Sequence, residues 1–396
     1  MVRRTRNLAW LKAWENNDVV KIITGVRRCG KSTLLHQYRD DLLKEGIPAT
    51  NILLINFESL DILHLRRAEI LHQYIKDYFQ AKQGPCHLIL DEIQIVERWE
   101  DAVNSLRLRS DLNLVLTGSQ AAMLASELAT RLSGRYVQQM LLPFSLAEAR
   151  EMNPELTFNE YMRFGGFPSV VQMDTERKKM TQLTDLADSI LFKDILLRGN
   201  IANPIVLRNL SSFLFDTVGN RCSVRKITNT LNSLSGENTR QETIAKYIGF
   251  LEEAFLLYEA QRYDLRGKAI LGREPKYYAV DPGIRTALTS SDSRNLGFIL
   301  ENLVYLELRR QGYRVFVGQE GDLEVDFVAE GDGGRIYVQV ALSVLDEGTA
   351  DREFKPLMQI DDNYPKYLMS LDTLDMSRSG IRHLSAEKFL MGQVTI

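Results

Sequence analysis

The chain has 396 residues, of which 44% are apolar and 26% charged, and its formal net charge is −3. This describes a globular protein of roughly two to four domains and excludes one that holds nucleic acid through overall basic charge, leaving only local patches for that purpose. Cys29, Cys86 and Cys222 stand far apart without metal-ligand spacing, which argues against a disulfide framework and for a reducing, cytoplasmic setting. No apolar run reaches the length of a membrane span.

After the charged "MVRRTR", the stretch "NLAWLKAWENND" is too short and polar for a signal core and reads as an amphipathic helix. "VVKIITG" is an apolar, β-branched strand stopped at Gly25, and Lys31 to Leu43 reads as a helix. "NILLINFE" (Asn51 to Glu58) is the next strand and Ala68 to Phe79 the next helix. "CHLILDEIQ" is a strand ending in two acids, followed by a helix from Trp99 to Arg109 with Trp99, Val103 and Leu106 on one face. "LNLVLTGS" is a strand, Ala121 to Leu132 a helix, and "RYVQQMLLPF" closes the series. Strands alternating with helices predict an α/β fold with a parallel sheet covered on both faces. Beyond Pro143 helical patterns dominate to about Leu257, and from near Tyr263 strands mix with one long helix.

Gly25-Val26-Arg27-Arg28-Cys29-Gly30-Lys31-Ser32 fits G-x-x-x-x-G-K-[ST], with a strand before it and a helix after it. Glycines let backbone N–H groups turn inward around phosphate oxygens, and the helix adds its positive N-terminal end. Lys31 is placed to reach the β- and γ-phosphates and Ser32 to ligate Mg²⁺. The nucleotide-binding candidates are Gly25, Arg28, Cys29, Gly30, Lys31, Ser32 and Thr33. Asp91 and Glu92 end a buried strand, where open α/β sheets bind their ligands. Asp91 is expected to hold Mg²⁺ and Glu92 to orient or deprotonate a water. Thr117 and Ser119 end the next strand and are expected to sense the γ-phosphate, although turn chemistry explains them as well. Arg131 and Arg135 are candidates for charge on a phosphoryl transition state, in cis or from a neighbouring copy. A surface ion pair is their plainer reading.

"ITGVRRCGKSTLL", "LILDEIQIVERWEDAVNSLR", "LVLTGSQAAMLASELATRLSGRY", "LLPFSLAEA" and "FGGFP" together resemble prokaryotic AAA-type ATP-binding proteins with a C-terminal domain of unknown function. The resemblance runs from about Leu8 to about Asp372. It implies a P-loop NTPase core with an extra strand between the phosphate-loop strand and the acid-bearing strand. It also implies roles for Asp91 and Glu92 as metal and catalytic acids, for Thr117 near a sensor position, and for Arg135 in an S-G-R-[YF] motif. "FGGFP" belongs to a small lid in that family. "SVRKITNTLNSLSGENTRQETIAKYIGFLEEAFLLYEAQRY" looks like a winged helix with its turn at Ser235-Gly236. Thr239 to Phe250 would be its second helix, carrying Arg240, Gln241, Thr243 and Lys246 toward DNA or simply packing within the protein.

The last segment, read as helix, three strands, helix (Phe354 to Ile360) and strand, resembles the core of restriction-endonuclease-like nucleases. Asp326 matches the metal-binding Asp, Gln339 the second acid and Glu301 a helix acid, whereas Ala341 stands where a lysine is expected. Lys355 and Lys366 are the substitutes to consider, and without an ammonium the site is expected to be degenerate. The expected domains are therefore 1–143 (P-loop AAA-type ATPase core), 144–200 (helical lid), 201–262 (winged-helix-like) and 263–396 (degenerate nuclease-like). The leading expectation is an ATP- and Mg²⁺-dependent ATPase, with DNA as candidate partner and a homo-oligomer through Arg135. A slow nucleotide-controlled switch and an active DNA nuclease are the alternatives.

Overall fold

Three apolar runs of the N-terminal half form strands buried along their whole length, β1 (Val20–Thr24), β3 (Cys86–Asp91) and β4 (Leu112–Gly118). The outer strands β2 (Ile52–Asn56) and β5 (Tyr136–Met140) are less covered. All neighbours pair in parallel, in the order β2-β3-β4-β1-β5. The computed structural model describes residues 1–15, 17–119, 132, 134–196, 199, 201, 203–236, 238–289 and 296–396. They fall into two compact units, Met1–Leu141 and Leu142–Ile396. The helix expected from Ala121 to Leu132, and Arg131 with it, falls almost wholly outside the described residues. Among the described residues no helix is long and apolar enough to cross a membrane.

Helices α1 (Thr5–Ala13), α2 (Lys31–Lys44), α3 (Ala68–Phe79) and α4 (Trp99–Leu106) complete the described part of the first unit. Leu71, Ile75 and Phe79 of α3 share one core with Trp99, Val103 and Leu106 of α4 and the apolar residues of β2 to β4. The apolar face read on α4 is thus the face that packs. Because β4 lies between β1 and β3, the segments after all three strands emerge side by side at their carboxyl ends.

The second unit begins with α5 (Leu146–Met152), α6 (Phe158–Phe164), α7 (Pro168–Val171) and α8 (Glu176–Ser189), followed by a wider-wound turn over Ile190–Leu196. "FGGFP" is a joint within this unit. The Gly166 N–H donates to Asp281 Oδ2 at 2.7 Å and the Phe144 N–H to the Gly166 carbonyl at 2.8 Å. A Cβ on Gly166 would stand 2.1 Å from the Phe144 carbonyl oxygen. Burial pushes Asp281 up to about 7 against the N–H groups of Gly166, Gly283 and Ile284 that favour its ionised form.

Helices α9 (Pro204–Asp216), α10 (Val224–Ser235) and α11 (Gln241–Glu253) follow. Gly236 ends α10 in the left-handed region (φ +68°), and the Asn232 side chain bonds both the N–H and the carbonyl of Thr239 across the turn. Strands β6 (Leu257–Asp264) and β7 (Ala269–Ala279) and helices α12 (Pro282–Leu288) and α13 (Leu296–Arg310) come next. The chain ends with β8 (Arg314–Glu320), β9 (Leu323–Gly331), β10 (Gly334–Val340), α14 (Glu347–Met358), β11 (Lys366–Ser370), β12 (Arg382–Ser385) and α15 (Ala386–Leu390).

The second sheet runs β12-β11-β10-β9-β8-β6-β7. Strand β6 crosses the boundary expected at 262/263 and pairs with β8, so "LYEAQRYD" belongs to the C-terminal sheet. The helix expected over Phe354 to Ile360 starts already at Glu347, where the Asp346 carboxylate accepts the Thr349 N–H and caps it.

Candidate functional site

The loop between β1 and α2 turns on left-handed backbone at Arg28 (φ +63°) and Gly30 (φ +108°), with Gly25 at φ +153°. A Cβ on Gly25 would lie 2.2 Å from the Leu141 carbonyl oxygen, so only glycine fits there. Lys31 is buried, and its Nζ donates to the Gly25 carbonyl (3.1 Å) and the Val26 carbonyl (3.4 Å). It also stands 3.3 Å from Glu92 Oε1. Cys29 is fully buried, whereas Arg28 and Thr33 are exposed and Arg27 pairs with Glu58 at 2.7 Å.

Asp91 and Glu92 face this loop from the end of β3. Burial pushes the Asp91 carboxyl above its ordinary range, while hydrogen bonds from Ser32 and Thr117 pull the other way. Thr117 Oγ1 donates to Asp91 Oδ1 at 2.5 Å and accepts the Glu92 N–H at 2.9 Å, so one hydroxyl fixes both acids. Glu92 sits in left-handed backbone (φ +55°, ψ +47°), a strained conformation for a residue with a side chain. Burial raises its carboxyl, but Lys31 and hydrogen bonds from Gln94 and Ser119 outweigh this and hold it below the usual range. Ser119 Oγ donates to Glu92 Oε2 at 3.0 Å, and Gln94 Nε2 donates to the same oxygen.

The structure thus gathers Gly25, Gly30, Lys31, Ser32, Asp91, Glu92, Thr117 and Ser119. Arg135 is exposed just before β5, and no side-chain bond joins it to these groups among the described residues. Sequence reasoning missed Gln94 and Arg4. Gln94 follows the acids by two positions, so its polar side chain beside them was the available signal. Arg4 is buried, and its Nη2 donates to the Cys29 carbonyl at 2.8 Å.

A second cluster lies in the C-terminal unit. Lys276 of β7, 3% exposed, places its Nζ 2.9 Å from Glu301 Oε1, 2.8 Å from Glu324 Oε1 and 3.8 Å from Asp326 Oδ1. Glu301 also accepts the Tyr278 hydroxyl at 2.6 Å, and Glu324 takes a second cation, Arg221. Burial, then Glu301, drives the Asp326 carboxyl well above its ordinary range. Gln339 is turned to other partners, accepting the Asp326 N–H at 3.2 Å and donating to Glu353 at 3.0 Å. Ala341 supplies no charge, Lys355 is exposed, and Lys366 bonds the carbonyls of Ile360 and Asp362. Neither substitute considered from the sequence reaches these acids; the ammonium that does is Lys276 of β7. Among the described residues no group of three or more His, Cys, Asp or Glu is arranged to hold a metal ion.

Residues 17–150 match a family model described as an AAA domain, and residues 155–295 one described as a domain of unknown function (DUF8612). An uncharacterised protein of Haemophilus influenzae is 40% identical over 378 residues, covering 93% of each chain. The chain belongs to the same family. An uncharacterised protein of Methanocaldococcus jannaschii is similar at 31% identity, over 85% of this chain and 77% of its own. The N-terminal unit is thus the P-loop AAA domain of this family, built on a parallel five-stranded sheet. Among solved structures, AMPPCP-bound DnaA from Aquifex aeolicus aligns at a TM-score of 0.34 and 14% identity, over 64% of this chain and 93% of that one.

Proposed function

We propose that this chain binds ATP with Mg²⁺ and hydrolyses it, and that its C-terminal unit responds to the nucleotide state with DNA as its target. One observation carries the reading. Lys31 and Ser32, after β1, stand in contact with Glu92 and Asp91 at the carboxyl end of β3, one strand away across β4. The residues suit the ligand. Gly25 leaves backbone where a side chain would collide, and a hydroxyl with a carboxylate is an oxygen donor set for a hard cation. Ser32 and Asp91 would hold Mg²⁺, which when bound offsets negative charge on the phosphates.

The chain's own groups take the remaining tasks. Lys31 counters charge on the β- and γ-phosphates, and loop N–H groups fix their position. Glu92, held ionised at neutral pH, orients the attacking water and takes its proton. Thr117 keeps the two acids in register. Arg135, exposed on its own unit, is assigned to the site of a neighbouring copy.

In the C-terminal unit, α10 and α11 followed by the antiparallel pair β6–β7 support a winged-helix-like reading, with Gln241 and Lys246 exposed on α11 and Arg240 exposed just before it. The Lys276 cluster supports a nuclease-like sheet kept for binding. Its central cation is an ammonium, and its Asp326 favours the protonated form.

The test is nucleotide binding and steady-state phosphate release by the full chain. Lys31→Ala is expected to abolish ATP binding. Glu92→Gln is expected to keep binding and lower turnover by about 10²-fold or more. Unchanged turnover in Glu92→Gln removes that residue from the chemistry, and unchanged affinity in Lys31→Ala removes the whole reading.

A further inference from the structure

The N-terminal segment approaches the phosphate loop from the side of α2. Its anchors are specific. Arg3 forks onto Asp41 (3.1 and 2.7 Å), the Arg4 N–H donates to Gln37 Oε1 (3.1 Å), and Gln37 Nε2 donates to the Val2 carbonyl (2.7 Å). Leu8 and Leu11 are buried. With the backbone fixed in this way, the Arg4 guanidinium, 3% exposed, gives its Nη2 to the Cys29 carbonyl at 2.8 Å. A Cβ built on Gly30 would lie 3.7 Å from the same nitrogen.

That contact controls a peptide plane. In a planar trans peptide the carbonyl oxygen and the following N–H point in opposite directions. A Cys29 carbonyl held by Arg4 therefore turns the Gly30 N–H the other way. Gly30 precedes α2 in left-handed backbone and has no side chain to hold that plane itself. The planar guanidinium also adds positive charge behind the loop.

We propose that Arg4 is a positioning residue for the phosphate loop, setting the peptide between Cys29 and Gly30 so that its N–H serves the diphosphate part of a nucleotide. The proposal rests on the nucleotide reading above. ADP and ATP share that diphosphate, so both depend on Arg4 alike.

The plainer role, a tether for the N-terminal arm, is separated by a matched variant. Arg3→Met breaks the bidentate pair with Asp41 on the same arm and leaves the Cys29 carbonyl in the grip of Arg4. Dissociation constants of the full chain for ADP and ATP with Mg²⁺ are measured by calorimetry for wild type, Arg3→Met, Arg4→Met and Arg4→Lys. Arg4→Met is expected to raise both constants by about tenfold or more, the scale of a lost charge-assisted hydrogen bond. Arg4→Lys is expected to recover part of that loss, and Arg3→Met to stay within about twofold of wild type. Wild-type affinity in Arg4→Met overturns the proposal, and so does an equal loss in Arg3→Met. Should Arg4→Met fail to fold, Arg4→Lys decides. A constant raised about threefold or more sustains the assignment, and an unchanged one overturns it. A wild-type chain with no affinity for either nucleotide overturns the nucleotide reading itself, an outcome no Arg4 variant can mimic.

Discussion

Replacing Lys276 by Met tests whether the buried acids of the C-terminal unit depend on its ammonium. Methionine keeps most of the side-chain volume and removes the charge. Lys276, Glu301 and Asp326 are 3%, 6% and 7% exposed, so water cannot take over the lost interaction. In the wild-type cluster two cations, Lys276 and Arg221, face Glu301 and Glu324, while Asp326 favours its neutral form. Balance is thus two against two, and the variant leaves one carboxylate uncompensated. Removing one partner of a buried ion pair costs about 3–5 kcal/mol. At a urea slope of about 2–3 kcal/mol/M this lowers the midpoint by roughly 1–2.5 M. Trp10, Trp14 and Trp99 all precede Leu141, so their fluorescence follows the other unit and serves as the internal control. Far-UV circular dichroism and amide exchange on β7 and β9 follow the affected one. The sign with pH is fixed. Burial without an opposite charge favours the protonated form of a carboxyl, so the deficit of the variant is largest at pH 8 and shrinks toward pH 5. Adding Glu301→Gln to the variant is expected to return part of the stability. A midpoint within about 0.3 M of wild type at pH 8 would refute the reasoning, because three acids would then be stable without their ammonium.

Two other outcomes follow from charge placement. Burial, with Glu259 and Glu253 nearby, pushes Glu252 up to about 7. A raised carboxyl binds its proton more tightly when folded, so the C-terminal unit loses stability as pH rises from about 4.5 to about 7. Glu252→Gln is expected to gain roughly 2 kcal/mol over wild type at pH 8 and little at pH 4.5 in urea unfolding, and equal gains at both would refute it. For Arg135, turnover per chain is expected to rise with protein concentration in the wild type and to stay low and flat in Arg135→Ala. A flat wild-type profile would remove the neighbouring copy from the site.

The first unit was legible because its signals are local. The phosphate loop is a run of adjacent residues whose glycines are demanded by backbone geometry, as the clash at Gly25 shows. Asp91 and Glu92 end a wholly buried strand, and Thr117 ends the strand paired beside it. Arg4 carries no such mark, since a basic N-terminus reads as solvated until α2 brings Asp41 and Gln37 against it. In the second unit, the cation for Glu301 and Asp326 was sought at position 341 because sequence patterns keep a site's residues on one strand. Lys276 reaches those acids through tertiary packing, which no spacing encodes. The expected boundary at 262/263 cut through β6 because "LLYEAQRYD" alternates only weakly. Its parallel partner, β8, lies beyond β7 and two helices.

The two adjacent acids at the end of β3 are pushed in opposite directions, and that divides their labour. Asp91, raised by burial and held by two hydroxyls, is costly to ionise until positive charge arrives beside it, as suits a metal ligand. Glu92 is ionised already, but its charge is spent on Lys31, Gln94 and Ser119. On the proposed reading, phosphates compete with Glu92 for Lys31. A lysine drawn to the phosphates leaves Glu92 with weaker stabilisation of its anion, which raises its pKa and makes it a better base. Binding and activation of the base are then one event, because a single ammonium, 3.3 Å from the carboxylate, serves both.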